Sequence, residues 1–294
     1  MLAVPNVSEG RDQAAITRIA DAFRTGGAIL LDTHSDPDHN RTVYTLAGAP
    51  GGLTQAMTAG AAAALATIDV AHHRGAHPRV GALDVAPIVH LTPEERGGAC
   101  AAALTLGDRL GSELSVPVFL YGALTQHTRT RAEIRRAGPD TLARRMRNGG
   151  LRPDFGPDAP HPTAGATMVA ARPPLVAFNV ELAPPADLGT AQRIAALIRE
   201  GGNEGLEGVR AIGISLTSRG DTAQVSTNVE DHLATPLAKL VEAIARHAAP
   251  TRAELVGLAP ASAFDGFPAE LEVANRRTIE DALKDSLNAP PASD

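Results

Sequence analysis

The chain has 294 residues, 44% hydrophobic and 20% charged, with a formal net charge of −6, which is typical of a globular protein with one large or two modest domains. The negative charge gives no signal for nucleic-acid binding, and no apolar run reaches the ~20 residues that span a bilayer. Because the N-terminus lacks a secretory pattern and the single Cys100 excludes an internal disulfide, we expect a cytoplasmic protein without nucleic-acid or membrane partners.

Helical and extended patterns alternate along the first half of the chain, after a short apolar start at 2–7. Periodicity and β-propensity predict, in chain order, a helix at 13–24, strands at 27–34 and 41–48, a helix at 54–68, a strand at 82–91, a helix at 93–110, a strand at 116–122 and a helical stretch at 130–147.

The second half repeats this order. It reads as a strand at 175–182, a helix at 188–199, strands at 209–218 and 222–229, a helix at 235–247 and a strand at 253–260. Strand–helix–strand–strand–helix–strand is the ferredoxin-like order. We therefore predict an α+β protein, an α/β two-layer arrangement of two ferredoxin-like (βαββαβ-type) subdomains at 1–174 and 175–294, with helices on one face of each sheet.

A segment rich in proline and glycine, GGLRPDFGPDAPHPTAGAT at 149–167, lies between the halves. Its four prolines and four glycines exclude regular structure across the segment. Loops of this length are usually functional or disordered, so the alternatives are a working loop and a plain linker. Phe155 argues against a solvated linker. The tail from Pro290 is predicted to be loose.

The stretch AHHRGAHPRVGALDV at 71–85 is unusually rich in histidine. It could form a metal site, a catalytic base beside an anion clamp, or a polar loop without chemistry. The side chains considered for metal are His34, His39, His72, His73 and His77 with Asp32, Asp36 and Asp38. Gly75 and Pro78 interrupt the helix that would place His73 and His77 on one face, and Arg74 adds charge of the wrong sign. We expect no metal.

A general base fits the same stretch better. Pro78 holds His77 extended, and alternation then places Arg79 on the same face. Imidazole titrates near neutral pH, and a guanidinium binds carboxylates, so the pair suits a substrate that loses a proton and carries a carboxylate. The turn DPDHNR forms a second polar group with His39, Asn40 and Arg41, for which a satisfied Asx turn is the alternative.

Other chemistry lacks its usual signals. The chain contains no GxSxG elbow, no GxxxxGK[ST] loop and no GxGxxG motif. Cys100 lies in an alanine-rich predicted helix, where a small buried apolar side chain is the simpler interpretation.

Six blocks of sequence together resemble the glutamate formimidoyltransferase family. They are VPNVSEGR at 4–11, LLDTHSDPDHNRTVYTLAG at 30–48, HHRGAHPRVGALDVAP at 72–87, VPVFLYG at 116–122, RPDFGP at 152–157 and AQVSTN at 223–228. They occur in the family's order, and several are long and unusual. The resemblance implies transfer of a formimino group from N-formimino-L-glutamate to N5 of tetrahydrofolate, in histidine degradation.

The family also implies a fold and partners. Two α/β subdomains hold folate in a tunnel between them, in a homodimer, with tetrahydrofolate as co-substrate and no metal. We expect no counterpart of the cyclodeaminase domain that is fused to this domain in animal members.

The family's motifs carry residue roles onto this chain. The resemblance implies His77 as the catalytic histidine. Because both substrates carry carboxylates, Arg41 and Arg79 are candidate substrate-binding residues, together with His39 and Asn40 of the DHNR turn. The resemblance also implies two folate-binding segments, composed of Gly156, Pro157, Asp158, Ala159, Pro160, His161, Pro162, Thr163, Ala164 and Gly165, and of Glu204, Gly205 and Leu206. One departure is His34, which stands where some members carry an acid, so any role of that acid does not carry over.

Three alternatives remain at the level of sequence. Nothing in the residues separates a formimino donor from N-formylglutamate, so a formyltransferase on the same scaffold stays open. A catalytically silent folate-binding module is disfavoured by the intact HPR and DHNR segments, since a module needs no base. A metal-dependent hydrolase is the third.

Overall fold

The computed structural model describes residues 1–75 and 78–288. The chain divides into two compact units, Met1–Pro173 and Pro174–Asp294. The expected loose tail from Pro290 lies outside the described residues. Within the described ranges, no helix is both long and apolar enough to cross a membrane.

The first unit begins with a βαββαβ core and continues with further elements. In chain order they are β1 (Leu2–Ala3), β2 (Asn6–Val7), α1 (Gln13–Ala22), β3 (Ile29–Asp36), β4 (Arg41–Ala47), α2 (Pro50–Thr67), β5 (Leu83–Val89), α3 (Arg96–Glu113), β6 (Val118–Leu120), α4 (Arg131–Arg135), α5 (Pro139–Arg147) and β7 (Thr167–Arg172).

The strands of this unit form one mixed sheet. The short β1 and β2 follow each other along one line between β4 and β5, antiparallel to both, and β3 pairs with β4 at the edge. This is the ferredoxin-like strand order, so the predicted fold class is confirmed for this unit. β7, which the sequence patterns did not predict, lies between β5 and β6 and is parallel to both.

Helices α1, α2 and α3 cover one face of this sheet. Asp12 is the N-cap of α1. Its side chain accepts the backbone N–H groups of Ala14 and Ala15, which have no partner within the helix. The largest side chains in this core include Phe23, Tyr44 and Met57. Two shorter helices, α4 and α5, add a smaller cluster on the other side of the strands. That cluster contains Ile134, Leu142 and Met146 with Val85 and Met168.

The predicted helical stretch at 130–147 is two helices rather than one. A capping box between Thr130 and Glu133 begins α4. Ala137 and Gly138 then adopt positive φ angles of 62° and 74°, and Pro139 starts α5. Proline fits the first turn of a helix but not its interior, so the Gly–Pro pair divides the stretch.

The proline- and glycine-rich segment at 149–167 is not a linker between the units. It lies within the first unit and leads directly into β7. Val118 donates its N–H to the carbonyl of Phe155 at 2.9 Å, and Asp154 donates to the carbonyl of Val118 at 2.8 Å. The Phe155 side chain packs against the main core, as the presence of an aromatic residue indicated.

The second unit repeats the same core. Its elements are β8 (Val176–Leu182), α6 (Leu188–Ile198), β9 (Val209–Leu216), β10 (Thr222–Val229), α7 (Leu237–Ala245), β11 (Pro250–Val256), β12 (Val273–Ala274) and α8 (Ile279–Asn288). The sheet order β12-β11-β8-β10-β9 again contains the ferredoxin-like arrangement. Phe178 and Val180 face a core built with α6 and α7, and Asn179 alternates between them. The sequence patterns did not predict β12 or α8.

Candidate functional site

The histidine-rich stretch follows α2 and continues into β5, and its proposed base His77 lies outside the described residues. The backbone on both sides of His77 is described up to Gly75 and from Pro78. We call residues 70–82 the HPR segment. Its two ends are held by separate sets of hydrogen bonds, and these contacts define the candidate site.

Asn40 fastens the first end of the HPR segment. It sits in the turn before β4 with φ of 47°, a left-handed conformation that asparagine tolerates better than most residues. Its amide oxygen accepts the N–H of Gly10 at 2.9 Å, and its amide nitrogen donates to the carbonyl of Arg74 at 2.9 Å. One donor and one acceptor of the side chain are therefore already used within the protein.

His73 adds a contact to the same turn. Its Nε2 lies 2.8 Å from the carbonyl oxygen of Asn40. A carbonyl can only accept, so Nε2 carries the proton in this bond. His73 is buried, and burial lowers its pKa, while the hydrogen bond to Asn40 opposes the shift. The neutral ring thus joins the HPR segment to the turn.

Asp84, a charged residue in an otherwise apolar strand, fastens the second end. One carboxylate oxygen accepts the N–H of Val80 at 2.6 Å, and the other forms a salt bridge with Arg135 from α4. Ser8 adds two bonds, donating its hydroxyl to Gly81 at 2.7 Å and its N–H to Ala82 at 2.8 Å. The residues that follow Pro78 are thereby held to β5 and to Ser8, the residue after β2, while the salt bridge ties β5 to α4.

Arg41 begins β4 beside these anchors. Burial, followed by the positive charge of Arg135, lowers the pKa of Arg41 to about 10, against the opposing effect of Asp36 and Asp84. Arg41 forms no salt bridge with any residue described in the structure. A half-buried guanidinium in this setting is suited to binding an anionic group.

The other sequence-predicted substrate residues are placed differently. The Arg79 guanidinium donates to the carbonyl of His73 at 2.7 Å, across the HPR segment. His39 is only 1% exposed, with its ring 3.9 Å from the Asp36 carboxylate. His34 is also buried, and burial lowers its pKa more than Asp32 raises it. No group of three or more histidine, cysteine, aspartate or glutamate side chains in the described ranges is arranged to hold a metal ion.

The first predicted folate segment, 156–165, lies against the HPR segment. His161 and Gly165 exchange two backbone hydrogen bonds, of 2.8 and 2.9 Å, and close a tight hairpin. A side chain at Gly165 would overlap the carbonyl of Val80, and one at Gly81 would overlap the carbonyl of Ala166. Glycine at both positions is what allows the two backbones to approach.

The second predicted folate segment, 204–206, belongs to the second unit, in the turn after α6. The Glu204 carboxylate lies 3.0 Å from the His247 ring and 3.8 Å from the Arg246 guanidinium. Leu206 is buried and donates its N–H to Ile198 at 2.9 Å. The Glu204 side chain and the Leu206 backbone N–H thus have partners within their own unit.

Comparison with known proteins identifies the family. A model described as the N-terminal subdomain of the formiminotransferase domain matches residues 1–172, and one described as the formiminotransferase domain matches residues 177–267. The chain belongs to the formiminotransferase domain family. The resemblance read from the sequence blocks is therefore confirmed.

Curated relatives of two kinds share this domain. Glutamate formimidoyltransferases of Streptococcus pyogenes and Thermoplasma acidophilum are 36% and 35% identical, covering 89% of this chain and 89% and 88% of their own lengths. The formimidoyltransferase-cyclodeaminase of Sus scrofa is 38% identical over 89% of this chain. The chain spans about half the length of that longer relative, 50%.

Sequence reasoning missed two residues of this formiminotransferase-domain site, Asp84 and Arg135. Asp84 left a detectable signal, because a charge inside the apolar strand pattern at 82–91 requires a partner. Its partner could not have been chosen, since Arg135 is 51 positions away among many arginines. Asn40 and Arg41 were found, but as substrate-binding residues; the anchoring of the HPR segment by Asn40 was not foreseen.

Proposed function

We propose that this protein is a glutamate formimidoyltransferase, which moves the formimino group of N-formimino-L-glutamate to N5 of tetrahydrofolate in histidine degradation. The observation that carries the proposal is the match of relatives bearing that enzyme name over nearly nine-tenths of both chains. The fastened HPR segment and the half-buried Arg41 beside it support the same assignment.

The proposed chemistry replaces one carbon–nitrogen bond with another. A bond forms between N5 of tetrahydrofolate and the formimino carbon, and the bond from that carbon to the glutamate nitrogen breaks. His77, as a neutral imidazole, accepts the proton that N5 loses and donates it to the departing glutamate nitrogen. The transfer is balanced in atoms and electrons and needs no redox partner.

The charged groups have proposed roles in binding. Arg41 and Arg79 bind the carboxylates of formiminoglutamate, with His39 and Asn40 in the same turn as the other substrate-binding residues. The segments 156–165 and 204–206 bind tetrahydrofolate. We also propose that the enzyme works in the cytoplasm and that it is a homodimer. Light scattering on the purified protein tests the dimer.

The decisive experiment compares two donors and two variants. Purified enzyme is incubated with tetrahydrofolate and either N-formimino-L-glutamate or N-formyl-L-glutamate, and the folate product is quantified. We expect turnover with the formimino donor. His77→Ala should lower kcat by ~10²–10⁴-fold with folate affinity unchanged within a few fold, as loss of a general base predicts.

The matched control is His72→Ala, because the His72 ring is exposed and bonded to Asp69, three positions earlier in the chain. It should retain the wild-type rate. Preference for the formyl donor would make the protein a formyltransferase. Folate binding without turnover of either donor would make it a binding module, and full activity of His77→Ala would remove that residue from the mechanism.

A further inference from the structure

The hairpin 161–165 contains an unusual arrangement around the ring of His161. Its Nδ1 accepts the backbone N–H of Ala164 at 3.1 Å and that of Thr163 at 3.4 Å. The Thr163 hydroxyl lies at 3.4 Å from the same nitrogen. Backbone N–H groups can only donate, so Nδ1 must be unprotonated and the neutral ring carries its proton on Nε2. The His161 ring thus links the first residue of the 161–165 hairpin to the backbone N–H groups of its turn.

The same hairpin holds both ends of the HPR segment. The carbonyl of Thr163 accepts the N–H of Val70 at 2.8 Å, and the carbonyl of Ala164 accepts the N–H of Ala82 at 2.8 Å. Ala166, the first residue after the hairpin, donates its N–H to the carbonyl of Val80 at 3.0 Å. Thr163 and Ala164, whose N–H groups His161 receives, are therefore the residues whose carbonyls fasten the segment.

We propose that His161 is a positioning residue: its ring, protonated on Nε2, fixes the hairpin that holds Val70 and Ala82, and thereby restrains the backbone on both sides of His77. The inference rests on the proposed function for its kinetic test. It assigns one member of the 156–165 segment a role in catalysis through the HPR segment, separate from contact with folate. Small misplacements of a catalytic group are costly, up to ~10²-fold in rate.

Isosteric substitutions separate the two ring nitrogens. In His161→Asn the amide oxygen occupies the position of Nδ1 and can still accept from Ala164. In His161→Gln the amide occupies the position of Nε2, and the acceptor at Nδ1 is lost. His161→Ala removes both. His127→Gln is the matched control, since His127 is an exposed histidine of the same unit.

We expect kcat at saturating tetrahydrofolate to fall ~10- to 100-fold in His161→Gln and His161→Ala, with the KM for formiminoglutamate changed by less than ~3-fold. The loss of kcat in His161→Asn should be at least ~3-fold smaller than in His161→Gln. Nitrogen-15 NMR of the wild-type ring should show the neutral form protonated on Nε2. Equal rates in the asparagine and glutamine variants would overturn the proposal. So would an unchanged kcat in all three variants with a rise only in the KM for tetrahydrofolate, which would leave His161 with a role in folate binding alone.

Hydrogen exchange distinguishes this failure from failure of the proposed function. The amides of Val70, Ala82 and Ala164 should lose protection in His161→Gln and keep it in His161→Asn. If wild-type enzyme transfers no formimino group, the proposed function fails while this structural arm still reports on His161. Loss of protection with wild-type kcat would mean that the hairpin is merely structural, and the positioning role would be wrong.

Discussion

At the scale of single residues, the neighbours Asn40 and Arg41 differ in what their side chains contribute to stability. The Asn40 side chain bonds to Gly10 and Arg74, so its removal leaves the buried N–H of Gly10 and the partly buried carbonyl of Arg74 without this partner. Arg41 is half-buried near Arg131 and Arg135, and it forms no salt bridge with a described residue. A buried charge that lowers the stability of the ligand-free protein is typical of a site where an anionic ligand compensates for it. We therefore expect Arg41 to contribute to ligand binding rather than to stability.

Arg41→Met should therefore separate activity from stability. We expect the KM for formiminoglutamate to rise about 10- to 100-fold, the range expected for a charge-assisted hydrogen bond. The free energy of unfolding should stay within about 0.5 kcal/mol of wild type or increase, because repulsion from Arg131 and Arg135 is relieved. Steady-state kinetics and urea unfolding measure the two quantities.

The control for this substitution is Arg18→Met on the exposed side of α1, which should change neither quantity. A loss of more than 1 kcal/mol in Arg41→Met, with an unchanged KM, would assign Arg41 a structural role instead.

At the scale of elements, the salt bridge between Asp84 and Arg135 connects β5 with the short α4. Asp84 is 2% exposed, and it also holds the N–H of Val80. Breaking one partner of a buried pair leaves the other charge uncompensated. Asp84→Asn should lower the free energy of unfolding by about 3–5 kcal/mol, and the double variant Asp84→Asn, Arg135→Met should recover part of that loss.

The comparison is with the exposed pair of Arg109 and Glu113 on α3, 2.7 Å apart. Glu113→Gln should cost less than about 1 kcal/mol, as exposed pairs do. Denaturant unfolding of all three variants provides the measurement. A cost of Asp84→Asn as small as that of Glu113→Gln would contradict the anchoring role of this salt bridge.

The elements also show where sequence patterns reach their limit. Alternation, β-propensity and helical periodicity located the strands and helices of both βαββαβ cores, because these are local signals that each element carries in its own residues. The strand β7 was not predicted: Thr167–Arg172 is buried almost throughout, and its partners β5 and β6 are distant in sequence. Gly138 and Pro139 are a recognisable signal for the end of one helix and the start of another. The helical pattern on both sides nevertheless led to the prediction of a single stretch at 130–147.

For the candidate site, sequence gave residue types and order but not hydrogen-bond partners. The segments DHNR, HPR and 156–165 could be singled out, since clustered polar residues at broken backbone are visible in one dimension. That Asn40 bonds to Arg74, or that the 161–165 hairpin holds Val70 and Ala82, depends on contacts across 34 and up to 93 positions. Such pairings follow from topology, which local patterns do not contain.

At the scale of the whole molecule, burial of histidines makes stability depend on pH. Burial is the largest cause of a lowered pKa for His34 and His73 in the first unit and for His232 in the second. Each such ring binds a proton more readily in the unfolded chain than in the folded one. Stability from these groups is thus complete above the unfolded pKa, roughly 6.5, and is lost as the pH falls below it.

We therefore expect the free energy of unfolding to decrease between pH 7.5 and 5.5, with a slope of up to about 1.4 kcal/mol per pH unit for each histidine involved. His73→Gln provides the specific test, because the glutamine amide can still donate to Asn40 but does not titrate. The free energy of unfolding of His73→Gln should depend less steeply on pH than that of wild type. His72→Gln, at an 87% exposed side chain, should leave the slope unchanged. If the glutamine at 73 leaves the pH dependence as steep as before, the buried ring of His73 is not what couples folding to protonation, and the other rings whose pKa burial lowers, His34 and His232, would have to account for it.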